Sequence, residues 1–152
     1  MQVKSKFNIL LAEDDPTDLR LFHLAIKRNG GREVNIHEVG DGMEAIEYLK
    51  GEGAYADRFH HPFPQLLILD LKMPRIDGLQ VLRWIRKQAQ FSRLPIVMLS
   101  GSGLQNDIAE AYRLGANSYF TKPTDFKKFQ HLLDILFDYW ILTEKPDGDQ
   151  CV

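Results

Sequence analysis

Five residues whose types could do chemistry together stand where apolar runs stop. Glu13 and Asp14 follow the run Phe7 to Ala12, Asp70 comes at the end of Gln65 to Leu71, Ser100 follows Pro95 to Leu99, and Lys122 follows Ser118 to Thr121. If these runs are strands of one parallel sheet, their C-terminal ends share an edge, and open α/β folds bind ligands at that edge. Three carboxylates gathered there repel one another. A divalent cation with oxygen ligands relieves the repulsion, and Mg²⁺ suits a small site that keeps several waters, whereas zinc would want His or Cys nearby. Each acid alone reads as a solvated strand end or a helix N-cap, and a lone lysine before Pro123 as a surface turn residue. Their coincidence at corresponding strand ends is the signal.

The elements that must position these groups are legible as five apolar runs alternating with five segments of helical period, the pattern of βα units around a parallel sheet. After the first run, Pro16 suits an early helical position, and Leu19, Phe22 and Ile26 recur at helical spacing until Gly30 and Gly31 end the helix. Val34 to Val39 alternates like a strand, and Gly42 to Leu49 carries Met43, Ile46 and Leu49 on one stripe. From Gly51 to Pro64 runs a long turn-rich loop, which suggests a functional segment; its His60 and His61, like His23, His37 and His131, read as solvated and without a role. The third run is continuously apolar, as a central strand covered on both faces must be. A helix after Asp77 and Gly78 places Leu79, Leu82 and Ile85 on one face, a fourth helix spans about Gln105 to Leu114 with Gly115 as its cap, and a fifth begins near Asp125.

Composition bounds the function. The 152 residues suffice for one domain, taken as 1–152 with a core of about 7–140 and a tail at 141–152. A formal charge of −2 offers no basic field for nucleic acid. The single cysteine, Cys151, excludes a disulfide scaffold and points to a reducing, cytoplasmic setting. No apolar run approaches the ~20 residues needed to cross a bilayer.

Four pieces of the chain resemble the receiver domain of bacterial response regulators: Ile9-Leu10-Leu11-Ala12-Glu13-Asp14-Asp15, Leu69-Asp70-Leu71-Lys72-Met73-Pro74 with Asp77-Gly78, Leu99-Ser100-Gly101, and Gly115 through Pro123. The resemblance implies a flavodoxin-like (βα)5 fold of strand order 2-1-3-4-5. It also implies a single-domain response regulator of a two-component phosphorelay, a phospho-accepting switch rather than an enzyme. On this likeness Asp70 takes a phosphoryl group from a histidine kinase, and Ser100 and Lys122 contact the phosphoryl oxygens. Mg²⁺ is held by Glu13, Asp14, Asp70 and the backbone carbonyl of Lys72. Ser100 and Tyr119 form the switch, read out on the face of the fourth helix, fifth strand and fifth helix, through which partners dock or a homodimer forms. The side chains of Lys72 and Ser102 influence access of water to the acyl phosphate.

Glu13 stands where Asp is commoner in the family, and Ser100 where Thr is; both keep the oxygen the chemistry needs. The Gly51 to Pro64 loop and the aromatic tail Phe137-Asp138-Tyr139-Trp140-Ile141-Leu142 resemble the small receivers that partner bacterial phytochrome kinases. On the fifth helix Phe126, Phe129, Leu133, Leu136, Phe137 and Trp140 fall at core spacing, while Leu132, Ile135 and Tyr139 widen the apolar surface, either as an interface or as further core contacts. The dozen residues after that helix are too few for an output domain, so the signal leaves by contact. Two rival classes share parts of this pattern. A phosphohydrolase of the haloacid-dehalogenase type wants a second Asp where Lys72 stands, and a phosphorylation-independent adaptor would not need Glu13, Asp14, Asp70, Ser100 and Lys122 all intact.

Overall fold

A parallel sheet needs strands that are apolar on both faces, and three of the runs have that composition. In the computed structural model, which describes residues 7–28 and 33–144, they form the middle of a five-stranded parallel sheet of order β2-β1-β3-β4-β5. The strands are β1 (Phe7–Ala12), β2 (Val34–Val39), β3 (Leu66–Leu69), β4 (Ile96–Ser100) and β5 (Ser118–Thr121). The helices are α1 (Pro16–Lys27), α2 (Gly42–Lys50), α3 (Gly78–Lys87), α4 (Gln105–Arg113) and α5 (Phe126–Leu142). This is the flavodoxin-like order expected from the sequence. Gly30, Gly31 and Cys151 lie outside the described residues.

Side-chain alternation along the strands divides the interior into two cores. Leu10, Ala12, Leu67, Leu69, Ile96 and Met98 pack beneath α2 and α3, whereas Ile9, Leu11, Leu66, Ile68, Val97 and Leu99 pack beneath α1 and α5. In register, Ala12 lies beside Leu69, and Leu69 beside Met98. Asp70 therefore emerges from the middle of the sheet, with Glu13 on one side and Ser100 on the other.

Several helical details depart from the expected stripes. On α3 the fully buried line is Gly78, Val81, Leu82 and Ile85, with Leu79 only partly covered. On α5 Phe129, Leu133, Leu136 and Phe137 are buried, but Phe126 is 54% exposed: it opens the helix at the sheet edge, one residue after the Asp125 cap, beyond the reach of the core. The helix runs two residues past the expected boundary, to Leu142. The long loop is anchored rather than free. Arg58 donates to the carbonyls of Tyr48 and Leu49 at 2.8 Å, closing the C-terminal end of α2, and Tyr48 donates to the Pro62 carbonyl at 2.9 Å. His61 is half-buried, edge-on to Tyr48 and Tyr55, so the expectation that it is solvated does not hold. No helix among the described residues is long and apolar enough to cross a membrane.

Two close approaches hold the connection between β3 and α3 in place. A Cβ on Gly78 would lie 2.2 Å from the Asp70 carbonyl oxygen, and one on Gly42 would lie 2.3 Å from the Ile76 carbonyl oxygen. Only glycine permits that spacing. Gly78→Ala should therefore push α3 away from Asp70 and destabilise the fold by about 2 kcal/mol or more, as overpacking of an interior does. Urea unfolding checks this, and an unchanged midpoint would contradict it.

Candidate functional site

The β1 end is shaped by the start of α1. Asp15 caps that helix by accepting from the amides of Thr17 at 2.8 Å and Asp18 at 3.3 Å, and Pro16 occupies its first turn. The resulting turn points Glu13 inward: it is 2% exposed, and its Oε1 accepts from the Asp15 amide at 3.1 Å. Asp14 remains exposed beside it. Asp70, 7% exposed, closes the group, and oxygens of Glu13, Asp14 and Asp70 all lie within 4.8 Å of one another. Among the described residues this is the one cluster of three potential metal-ligating side chains.

Lys122 enters from the far side, because β5 ends one strand beyond β4 and the Lys122 amide donates to the Ser100 carbonyl at 2.7 Å. Its ammonium donates to Glu13 Oε2 at 2.7 Å, Asp18 Oδ2 at 2.7 Å and Asp70 Oδ2 at 3.1 Å. Desolvation pulls the lysine down, but the bonds to Asp18 and Glu13 and the charge of Asp70 together raise it above its ordinary value. It is therefore a fixed cation. Burial pushes the Glu13 carboxyl up to about 7 despite the pull of Lys122, and the neighbouring charge of Asp70 adds to the rise.

The structure thus brings Glu13, Asp14, Asp70 and Lys122 together. Ser100 stands at the end of β4 with 0% exposure, and its Oγ accepts from the Ser102 amide at 3.2 Å. Tyr119, half-buried, donates its hydroxyl to the Ser102 carbonyl at 2.7 Å, and its backbone amide donates to the Tyr112 hydroxyl oxygen at 3.1 Å. Ser102 is buried, and its hydroxyl donates to Asp107 at the start of α4. The Lys72 side chain is exposed, and its amide donates weakly to Asp70 Oδ1 at 3.4 Å.

Sequence reasoning missed two contributors. Asp18 is the first; it stands in the first turn of α1, where an acid has an ordinary explanation, and its type and spacing carry no cue to Lys122. The second is the pair Asp41 and Arg75. Arg75 adopts a left-handed backbone, φ 66°, and grips Asp41 with Nε at 3.0 Å and Nη2 at 2.7 Å, tying the loop after β3 to the N-terminus of α2. Burial opposes ionisation of Asp41, yet the Glu44 amide and the Arg75 guanidinium together hold its carboxyl below the usual range.

Three oxygen donors without His or Cys fit a hard divalent cation. The chemistry of this edge agrees with what comparison finds: residues 9–134 match the response regulator receiver domain family, and the chain belongs to that family. Receivers take a phosphoryl group on an aspartate and bind a divalent cation in an acidic pocket, within two-component signalling. The chain is 31% identical over 151 residues to the probable methanogenesis regulatory protein FilR2 of Methanothrix harundinacea, covering 97% of this chain and 92% of that one. It is 32% identical over 138 residues to response regulator Rcp1 of Synechocystis sp., covering 89% of each, and the Mn(2+)-bound structure of Rcp1 superposes with a TM-score of 0.85 over 93% of this chain and 99% of that one. The structure of the phosphorylated cyanobacterial phytochrome response regulator RcpA gives a TM-score of 0.87 at 33% identity, over 93% of this chain and 99% of that one.

The raised Glu13 carboxyl has a consequence for stability. A carboxyl whose pKa rises from 4.5 to about 7 on folding binds more protons in the folded state, so its contribution falls as pH rises from about 4.5 through 7. Without divalent cation, the urea midpoint of the wild type should drop over that window more than that of Glu13→Gln. Equal slopes for the two proteins would contradict the assignment of this titration to Glu13.

Proposed function

We propose that the chain is a receiver that accepts a phosphoryl group on Asp70 from a histidine kinase. One observation carries the reading: Asp70, at the tip of the central strand, is buried in a group of carboxylates with a fixed ammonium against its Oδ2. A phosphoryl transfer site needs an aligned nucleophile and positive charge around the peripheral oxygens. Asp70 supplies the first. One carboxylate oxygen attacks phosphorus and forms the O–P bond as the N–P bond of phosphohistidine breaks, and the imidazole nitrogen leaves with the bonding pair and takes a proton from solvent.

Glu13, Asp14 and Asp70, with the Lys72 backbone carbonyl, are the residues that would hold Mg²⁺, which when bound supplies charge neutralisation at the phosphoryl oxygens. Lys122 contributes a second positive charge from the opposite side. The Ser100 hydroxyl donates to a phosphoryl oxygen, which draws the segment 101–104 inward. Tyr119 is tied to that segment through the Ser102 carbonyl, so a shift of Ser102 reaches the tyrosine ring directly. Solvent access to the acyl phosphate is governed mainly by Lys72, because Ser102 is turned away towards Asp107. The chain is a switch that catalyses only its own phosphorylation and dephosphorylation.

The output face is that of α4, β5 and α5. Ile135 and Tyr139 are exposed there, beside a groove of about 330 Å³ that Phe120 and Trp140 also line. A second copy of the chain is the occupant we propose, giving a homodimer. Likeness to the phytochrome response regulator RcpA and to the bacteriophytochrome response regulator RtBRR supports a bacterial phytochrome as the kinase; the single cysteine supports a reducing, cytoplasmic setting, and the formal charge of −2 supports a protein partner over nucleic acid.

Acetyl phosphate with Mg²⁺ should add one phosphate to the wild type, read by intact mass, and none to Asp70→Asn. Light scattering on the same samples should show association rising with the label. Label retained by Asp70→Asn would overturn the assignment of the acceptor.

A further inference from the structure

An ammonium group has three N–H donors, and Lys122 directs all three at carboxylates from three different parts of the chain. Two of the partners have other duties in the function proposed above. Glu13 and Asp70 turn oxygens towards the divalent cation, and Asp70 also takes the phosphoryl group. Asp18 has neither duty. It is not among the carboxylates that gather as a ligand set, and it comes from the first turn of α1, whose backbone is fixed by the Asp15 cap and Pro16.

We infer that Asp18 is a positioning residue that keeps the Lys122 ammonium beside Asp70 while Glu13 and Asp70 change partners. The inference rests on the reading of Asp70 as acceptor. Lysine is a point charge on a flexible stem, so its position is set by its partners rather than by its own geometry. When two of its three carboxylates turn to a cation of greater charge, the like charges of cation and ammonium repel, and a lysine with no third anchor swings out to solvent. Asp18 prevents that, with a charge-assisted contact of 2.7 Å in a site where Lys122 is only 12% and Asp18 20% exposed. An acid in the first turn of a helix is favoured by the helix dipole alone, but an acid serving only the dipole has no need to reach a cation at the end of β5.

The Lys122 side-chain ammonium, observed by nitrogen-15 NMR at low temperature and assigned with Lys122→Arg, reports the contact directly. With Mg²⁺ at saturation the wild type should keep a slowly exchanging ammonium signal. Asp18→Ala should lose that signal on addition of Mg²⁺ and take phosphate from acetyl phosphate about tenfold more slowly, the effect of one charge-assisted hydrogen bond. Asp18→Glu should restore both in part. Should Asp18→Ala fail to fold by circular dichroism, Asp18→Asn, which removes the charge at unchanged size, should likewise weaken the ammonium signal on addition of Mg²⁺, and a signal as protected as that of the wild type would overturn the inference.

An ammonium signal as protected in Asp18→Ala with Mg²⁺ as in the wild type overturns the inference, and so does loss of the signal from the wild type itself. If the wild type takes no phosphate while the ammonium signals behave as expected, the proposed acceptor role fails and the hold of Asp18 on Lys122 stands.

Discussion

Four carboxylates and one ammonium meet at the C-terminal edge of the sheet, and the rest of the structure depends on how that charge is balanced. Two carboxylates about 4 Å apart repel by about 4 kcal/mol at an effective dielectric constant of about 20. Glu13, Asp18 and Asp70 tolerate proximity because Lys122 sits between them and bonds to all three. The compensation is partial. Burial leaves Glu13 with a carboxyl pushed up to about 7, so the metal-free site is short of positive charge near neutrality. On the proposed reading a divalent cation would complete the balance, and a phosphoryl group arriving with it would find the ammonium already in place.

The scaffold holds this arrangement by backbone contacts on one side and by hydroxyl groups on the other. On the side of α2 and α3, Gly78 and Gly42 let backbone approach backbone, and the Arg75 to Asp41 ion pair pins the loop that carries Lys72. Those contacts hold Asp70 and the Lys72 carbonyl in fixed relation. On the other side, the connection from β4 to α4 is tied by hydroxyl groups: Ser100 to the Ser102 amide, Ser102 to Asp107, and Tyr119 to the Ser102 carbonyl. A hydroxyl rotates to suit a new partner at small cost, so on the proposed reading a phosphoryl oxygen at Ser100 would rearrange this chain of contacts without disturbing the sheet.

Much of this was legible in the sequence because parallel strands obey strict rules. A continuously apolar run must be covered on both faces, so Gln65 to Leu71 had to lie near the middle and deliver Asp70 to the edge where Glu13, Asp14 and Lys122 also arrive. The acidic cluster follows from that, whereas the strand order 2-1-3-4-5 came from the resemblance to receivers. Asp18 was not singled out because an acid in a first helical turn has an ordinary explanation, and only three-dimensional proximity shows that it faces Lys122. Arg75 was missed for a related reason: its left-handed backbone leaves no mark on residue type. The solvated reading of His61 failed because Tyr48 turns inward from α2 and offers the loop an aromatic surface, a contact across thirteen residues that periodicity does not reveal. Phe126 was placed in the core by spacing alone, and the helix begins too near the edge for that spacing to matter.

On the proposed reading, Asp70 accepts a phosphoryl group because a divalent cation and Lys122 together cancel its charge. Fluorine NMR of the protein with beryllium fluoride, a stable mimic of the acyl phosphate, tests that claim directly. Bound fluoride resonances should appear only when Mg²⁺ is present, and none should come from a protein lacking the Asp70 carboxylate. Bound resonances that form equally well without the cation, or that persist without that carboxylate, would contradict it.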